Sequence, residues 1–368
     1  LRSTILSNAK VRTDNNIPLD LLSTDTINMN TYRIENIRFQ SGSVVYVTAN
    51  LYVPNGEGPF PAIINMHGHW PDGRRTEITQ TTAQLLAMNG YVCLNIDAWG
   101  AGERGTNEHE HEYHGSNLGA SLLDVGETLM GMQLTDNIRG VDLLCSLPFV
   151  DKENIGATGD SGGGYQTMWL SAMDNRIKAA VPVVSVGSFE SYIMNSNCVC
   201  ELLPNGLTFT EEDGVLGLIA PRALKILTAM NDANPSFSYL QMLSTYHSSR
   251  KVYEALNQSD KITYQLFNTG HGYWPEMQLT MLDWFNTHLK GNVNASKKDL
   301  EEVKLLPIEQ LATYRKGERD KKVLTTETYC RIKGNEFRRS MLSKDDINVI
   351  EKRNRLKEIL SLKENSTY

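Results

Sequence analysis

The stretch Gly156-Ala157-Thr158-Gly159-Asp160-Ser161-Gly162-Gly163-Gly164 holds the residues of this chain best suited to chemistry. Within it, Gly159-Asp160-Ser161-Gly162-Gly163 spells G-x-S-x-G, directly after the apolar run Ile155 to Ala157 and directly before a helix-compatible run, Tyr165 to Met173. Strand, tight turn, serine and helix in that order predict a nucleophile elbow, whose strained serine needs small neighbours wherever a Cβ would collide. Gly159, Gly162 and Gly163 are those neighbours. The helix would aim free N–H groups and its positive dipole end at the Ser161 hydroxyl. A glycine-rich turn alone is most often only a turn, so the serine's partners decide the reading.

A serine hydroxyl is a poor nucleophile near neutral pH: it needs a base within hydrogen-bond reach, and the base needs an acid to fix its tautomer. In a parallel sheet such groups gather beyond the carboxyl ends of the strands. Asp232 follows the apolar run Ala223 to Ala229, and His271, between two glycines, follows the run ending at Phe267. Asp213 is the fallback acid. Two N–H donors must also face the oxyanion, and the backbone of Gly162 and of His69 is expected to supply them. Trp70, Trp99 and Trp274 lie near these loops in sequence and could stack on a sugar face or merely pack.

Each residue also has an ordinary reading. A loop Asp is commonly a turn former, and a loop His is commonly exposed. His67-Gly68-His69 could be a two-histidine metal fragment, but no third ligand is near in sequence. His109, His111 and His114 stand among Glu108, Glu110 and Glu112, a composition that could hold zinc and reads rather as a solvated polar loop. Cys198-Val199-Cys200 could bind a metal or lie near the active site, without a second paired cluster to support the former. The expected chemistry requires neither metal nor cofactor.

Positioning these groups takes a scaffold, and the pattern supplies one. Residues 1–30 are polar and read as an irregular arm. Tyr32 to Gln40 and Val44 to Val53 read as a hairpin at a sheet edge. From 61 to 290, strand and helix patterns alternate: strands Pro61 to Met66, Tyr91 to Asp97, Asn154 to Gly159, Ile177 to Val184, Ala223 to Ala229 and Lys261 to Phe267, with helices such as Glu77 to Met88, Tyr239 to Leu256 and Glu276 to Leu289. Alternation of this kind predicts an α/β domain, a mostly parallel sheet of eight strands with helices on both faces. Residues 187–218 read as a compact cap or lid. The division is an arm at 1–30, a catalytic domain at 31–291 and a charged extension at 292–368, with Asp345 to Lys363 as a charged helix.

Composition narrows the partners. The 368 residues are 40% hydrophobic and 21% charged, ordinary for a globular protein, and the net charge of −7 argues against nucleic acid or an anionic membrane surface. No apolar run is long enough for a spanning helix. Five cysteines are too few, and odd in number, for a disulfide-built scaffold. The chain opens at Leu1 without an initiator Met, so a signal could have been removed, and the reading leans to a secreted or periplasmic protein. A neutral substrate fits that charge better.

With these residues in hand, the chain resembles the α/β-hydrolases of the acetyl xylan esterase-like group, related to prolyl oligopeptidase-type and dienelactone hydrolase-type domains. The likeness covers about 31–290 and rests on Ala49-Asn50-Leu51-Tyr52-Val53-Pro54, His67-Gly68-His69, Asp97-Ala98-Trp99-Gly100-Ala101-Gly102-Glu103-Arg104, the elbow, Ala220-Pro221-Arg222 and Gly270-His271-Gly272. Met230-Asn231-Asp232-Ala233-Asn234 departs from the Gly-Glu-x-Asp-Pro more usual before the acid. The resemblance implies a serine esterase acting on short acyl, often acetyl, esters of carbohydrates through Ser161, Asp232 and His271, with a small-molecule or polysaccharide ester as its partner. Two alternatives stand beside it: a prolyl oligopeptidase-type peptidase, for which no propeller repeats are present, and a non-catalytic hydrolase fold serving as an interaction module.

Overall fold

The computed structural model describes residues 1–13, 16–107, 117–292, 300–315, 318–342 and 349–360. Its strands are β1 (Leu22–Asn28), β2 (Tyr32–Gly42), β3 (Val45–Pro54), β4 (Phe60–Met66), β5 (Val92–Ile96), β6 (Val150–Asp160), β7 (Ile177–Val183), β8 (Ala223–Ala229) and β9 (Ile262–Phe267). The helices are α1 (Arg2–Asn8), α2 (Glu77–Met88), α3 (Asn117–Asp124), α4 (Leu129–Ser146), α5 (Gly162–Met173), α6 (Phe189–Met194), α7 (Glu212–Gly217), α8 (Tyr239–Ala255), α9 (Pro275–Leu289), α10 (Thr326–Leu342) and α11 (Val349–Ile359).

Among the described residues all strands join one sheet, in the order β1-β2-β3-β5-β4-β6-β7-β8-β9. Pairing is antiparallel from β1 to β5 and parallel from there to β9. The sheet thus has nine strands rather than the expected eight, and the extra one comes from the arm that was expected to be irregular. β1 is almost wholly exposed, so no apolar alternation marks it; it is held at the edge by its backbone pairing with β2. α1 likewise anchors the arm by burying Ile5.

Successive residues of a strand face opposite sides, and here the two sides become two cores. Ile64 and Leu94 join α1, α4, α5 and α8 on one face, while Ile63 and Cys93 join α2 and α9 on the other. Burial on both faces is why β4 to β8 read as continuous apolar runs. The chain leaves β4, β6, β8 and β9 at the same, carboxyl edge of the sheet, and the loops carrying His69, Ser161, Asp232 and His271 follow there. Part of the extension is a strap over the domain: Asn36 Nδ2 donates to Gln310 O at 2.7 Å, Asn50 Nδ2 to Leu311 O at 2.9 Å, and Leu311 and Tyr329 are fully buried. α11, by contrast, buries nothing. Among the described residues no helix is long and apolar enough to cross a membrane.

Candidate active site

Ser161 sits between β6 and α5 with φ 54° and ψ −123°, a left-handed strain that a non-glycine residue adopts only when its surroundings impose it. The surroundings are backbone. A Cβ at Gly159 would lie 2.3 Å from Met66 O, and one at Gly163 only 2.0 Å from the same oxygen. The elbow is therefore pressed onto the end of β4, and only glycine lets it approach. Ser161 N donates to Val183 O at 3.0 Å, and Tyr165 N closes the first helical turn on Ser161 O at 3.0 Å.

The loops after β8 and β9 are tied together by Met230 N donating to Phe267 O at 2.8 Å and Asn231 N to Thr269 O at 3.0 Å. Across this pair, His271 Nδ1 meets Asp232 Oδ2 at 2.7 Å. Asp232 also accepts Asn234 N at 2.9 Å, and its side chain is 1% exposed. The imidazole stacks on Phe237, centroids 6.1 Å apart. Burial lowers the His271 pKa, but the hydrogen bond and charge of Asp232, with Asp160 and Glu201 beyond, outweigh it and hold the group above its ordinary value. Asp213, the fallback acid, accepts Gly214 N at 2.7 Å and does not line the cleft.

Ser161, Asp232, His271, His69 and Trp70 line one cleft of about 810 Å³. Gly162 lies against His69: a Cβ there would fall 2.7 Å from His69 Cε1. Trp99 is not in the cleft. It is buried against Tyr329, centroids 5.5 Å apart, with the Arg104 guanidinium 4.1 Å above its ring. Trp274 is 44% exposed, donates to Gly270 O at 2.9 Å, and is also not a lining residue. His67 turns inward, its Nε2 accepting Ala98 N at 3.0 Å and its Nδ1 2.7 Å from Gly68 O, and burial pushes its pKa down to about 4. It is a neutral structural histidine. The cluster at His109, His111 and His114 lies outside the described residues.

The segment 187–218 delivers Tyr192, Asn197, Cys198 and Glu201 to the cleft wall. Cys198 and Cys200 are bridged by a disulfide, and His69 Nε2 stands 3.1 Å from Cys200 Sγ. Two buried carboxylates border the site with no motif announcing them. Glu201 is 4% exposed and neither oxygen has a hydrogen-bond partner of good geometry. Tyr192, near enough to draw its pKa down a little, donates to Cys198 O at 2.9 Å. Burial dominates and pushes the Glu201 pKa up to about 7. Asp160, immediately before the serine, is pushed by burial up to about 6, and its Oδ2 makes no well-formed bond although the Trp70 indole lies nearby.

Known proteins bear on this geometry. The family model for acetyl xylan esterase (AXE1) matches residues 8–193. YtaP of Bacillus subtilis (strain 168), a hydrolase by name, is 29% identical over 191 residues, which is 48% of this chain and 62% of YtaP. The chain spans less than two thirds of the length of the curated relatives it matches. Among solved structures, Methylesterase BT1017 superposes with a TM-score of 0.66 at 23% identity, over 85% of this chain and 66% of that one. An acetyl xylan esterase from Paenibacillus sp. R4 superposes with a TM-score of 0.56 at 16% identity, over 78% of this chain and 93% of that one. At these identities the likeness speaks for the fold, which is that of the α/β-hydrolases.

Proposed function

This chain belongs to the acetyl xylan esterase family, and from that premise we propose that it is a serine esterase removing short acyl groups, acetyl foremost, from neutral carbohydrate. Ser161 attacks the ester carbonyl. His271 takes the serine proton and passes it to the leaving alcohol, while Asp232 holds the imidazole with its Nδ1–H toward the carboxylate. The N–H groups of Gly162 and His69 receive the charge that develops on the carbonyl oxygen. Water then enters by the same route in reverse and releases the acid from the acyl-enzyme. The observation that carries this reading is the 2.7 Å His271–Asp232 bond in the same cleft as a strained elbow serine.

The lining also speaks to the substrate. It contains Glu201 and Asp232 and, among the described residues, no Lys or Arg. A polyanionic glycan would meet repulsion there. That supports an acetylated neutral sugar over an ester of a sugar acid. About 810 Å³ accommodates a sugar unit, and Trp70 offers it a ring to stack on.

Hydrolysis of nitrophenyl acetate tests the reading first. Ser161→Ala should lose roughly 10⁴-fold or more in kcat and lose labelling by a fluorophosphonate; unchanged turnover ends the proposal. A side-by-side panel of acetylated xylan, acetylated monosaccharides and methyl-esterified sugar acids tests the substrate. Acetylated neutral sugars should lead, and faster turnover of the uronate esters, or of octanoyl over acetyl esters, would overturn that choice.

A further inference from the structure

The disulfide at the cleft wall is surrounded by donors that a disulfide does not use. His69, Cys198 and Cys200 each bring a ligand atom to within 4.8 Å of the others. His69 Nε2 lies 3.1 Å from Cys200 Sγ and 3.7 Å from Glu201 Oε1. In a four-coordinate zinc site with ligand bonds of ~2.0–2.3 Å, neighbouring donors are ~3.3–3.8 Å apart; the two His69 distances come close to that range, and the sulfurs, bonded to each other here, would have to part to reach it. The donors are of the right kind: one imidazole, two sulfurs and one carboxylate are a common zinc complement and unsuited to calcium or magnesium. The second, independent observation is Glu201. A carboxylate 4% exposed, with neither oxygen satisfied, is an expensive arrangement unless a cation shares the space.

We propose that Cys198, Cys200, His69 and Glu201 form a zinc site when the Cys198–Cys200 bridge is reduced. A dithiol donor supplies two electrons and two protons, leaving as its own disulfide, and the bridge opens to two thiols. Zinc binds both sulfurs as thiolates, and the two protons pass to solvent. Oxidation closes the site, because the two sulfurs lose two electrons, bond to each other, and neither is then a thiolate. The ligands come from two short segments that the fold already holds together, the loop after β4 and the turn Val199–Glu201 with its N-cap Cys198. The site adjoins the elbow: a Cβ on Gly162 would fall 3.0 Å from Glu201 Oε1. Zinc would therefore sit in the wall beside the residue that follows Ser161.

Cobalt(II) reports on this without any ester being turned over, so failure of the esterase reading and failure of this one are separate. The full chain is reduced with a phosphine, freed of it under nitrogen, checked by thiol titration and titrated with cobalt, then with zinc. The reduced protein should take up a single cobalt per chain with a thiolate-to-metal charge-transfer band and the intense visible bands of four-coordinate cobalt, and zinc should erase both. The oxidised protein should show neither. Cys198→Ser with Cys200→Ser should abolish the charge-transfer band, and Glu201→Gln should keep it while weakening binding by about tenfold. A reduced wild-type protein with both thiols titratable and no such band overturns the proposal whatever the variants do. So does a band of equal strength in the double variant, since it would then arise from Cys93, Cys145 or Cys330.

Discussion

Two groups of buried charge lie at the same edge of the sheet and behave in opposite ways. In the first, Arg74 is fully buried and every nitrogen of its guanidinium is engaged: Nη1 with Asp97, Nη2 with Glu103 at 2.6 Å, Leu311 O at 3.1 Å and Thr313 Oγ1 at 2.9 Å, and Nε with Asn50 Oδ1 at 2.8 Å. Glu103 in turn accepts Thr313 N at 2.9 Å and Tyr314 N at 2.8 Å. In the second, Asp160 and Glu201 are as deeply buried and poorly satisfied. Depth alone would raise every one of these carboxylates. Burial does push Glu103 up, yet Arg74 and the two strap amides outweigh it and hold the group below its ordinary value, while Glu201 rises to about 7. Partners, not depth, separate the two. The satisfied network fastens the strap to the domain; the unsatisfied carboxylates border the serine, where strain and uncompensated charge fit the proposed chemistry.

The largest expected effect is in the cleft. Asp232→Asn removes the acceptor that fixes the His271 tautomer, and kcat should fall by roughly 10⁴-fold with the fold intact. His271 must be neutral to act as base, so wild-type kcat/KM should decline as pH falls, with a midpoint above the ordinary histidine value because Asp232 raises it. In the residual activity of Asp232→Asn that midpoint should move down, since burial, which lowers it, is no longer opposed by the adjacent carboxylate. A midpoint unmoved in the variant would mean that Asp232 does not set the charge state of His271.

That pair was legible in sequence only as far as its positions were. Ser161 could be read because its strain makes local demands, and the glycines that meet them are adjacent in the chain. α2 and β8 could be read to their end residues because apolar periodicity and buried runs are local signals. Trp99 stayed open between stacking and packing, because its burial depends on Tyr329, far along the chain. β1 could not be read, because it has no buried face to imprint a pattern. Glu201 stood beside the noted Cys198-Val199-Cys200, but its isolation is made by the way 187–218 folds over the cleft, and no spacing encodes that.

On the network side the measurable quantity is stability. Arg74→Met leaves Asp97 and Glu103 buried without their cation, and breaking a buried pair of this kind costs about 3–5 kcal/mol. Chemical denaturation should show that loss, and proteolysis should release the strap around Leu311 and Thr313 before the domain unfolds. Replacing Arg74 and Glu103 together with apolar residues should recover part of the loss. If Arg74→Met were as stable as wild type, the network would not be what holds the strap.

The smallest expected effect is the sharpest test of the contrast, because it has the opposite sign. Burial pushes Asp160 from the usual carboxylate range to about 6, so between those pH values the folded chain binds more protons than the unfolded one. By linkage, this group's contribution to stability falls as pH rises through that window, and above pH 6 the folded state carries the whole cost of a buried carboxylate, at most about 3 kcal/mol. Asp160→Asn keeps the shape and removes the charge. The variant should therefore melt several degrees above wild type at pH 8, with the gap closing as pH is lowered to 4. Loss of a carboxylate from the network, as in Asp97→Asn, should instead destabilise at pH 8, because there the charge is paired with Arg74. A gap for Asp160→Asn that does not change with pH, or that runs the other way, would place Asp160 with the satisfied carboxylates and erase the distinction between the two regions.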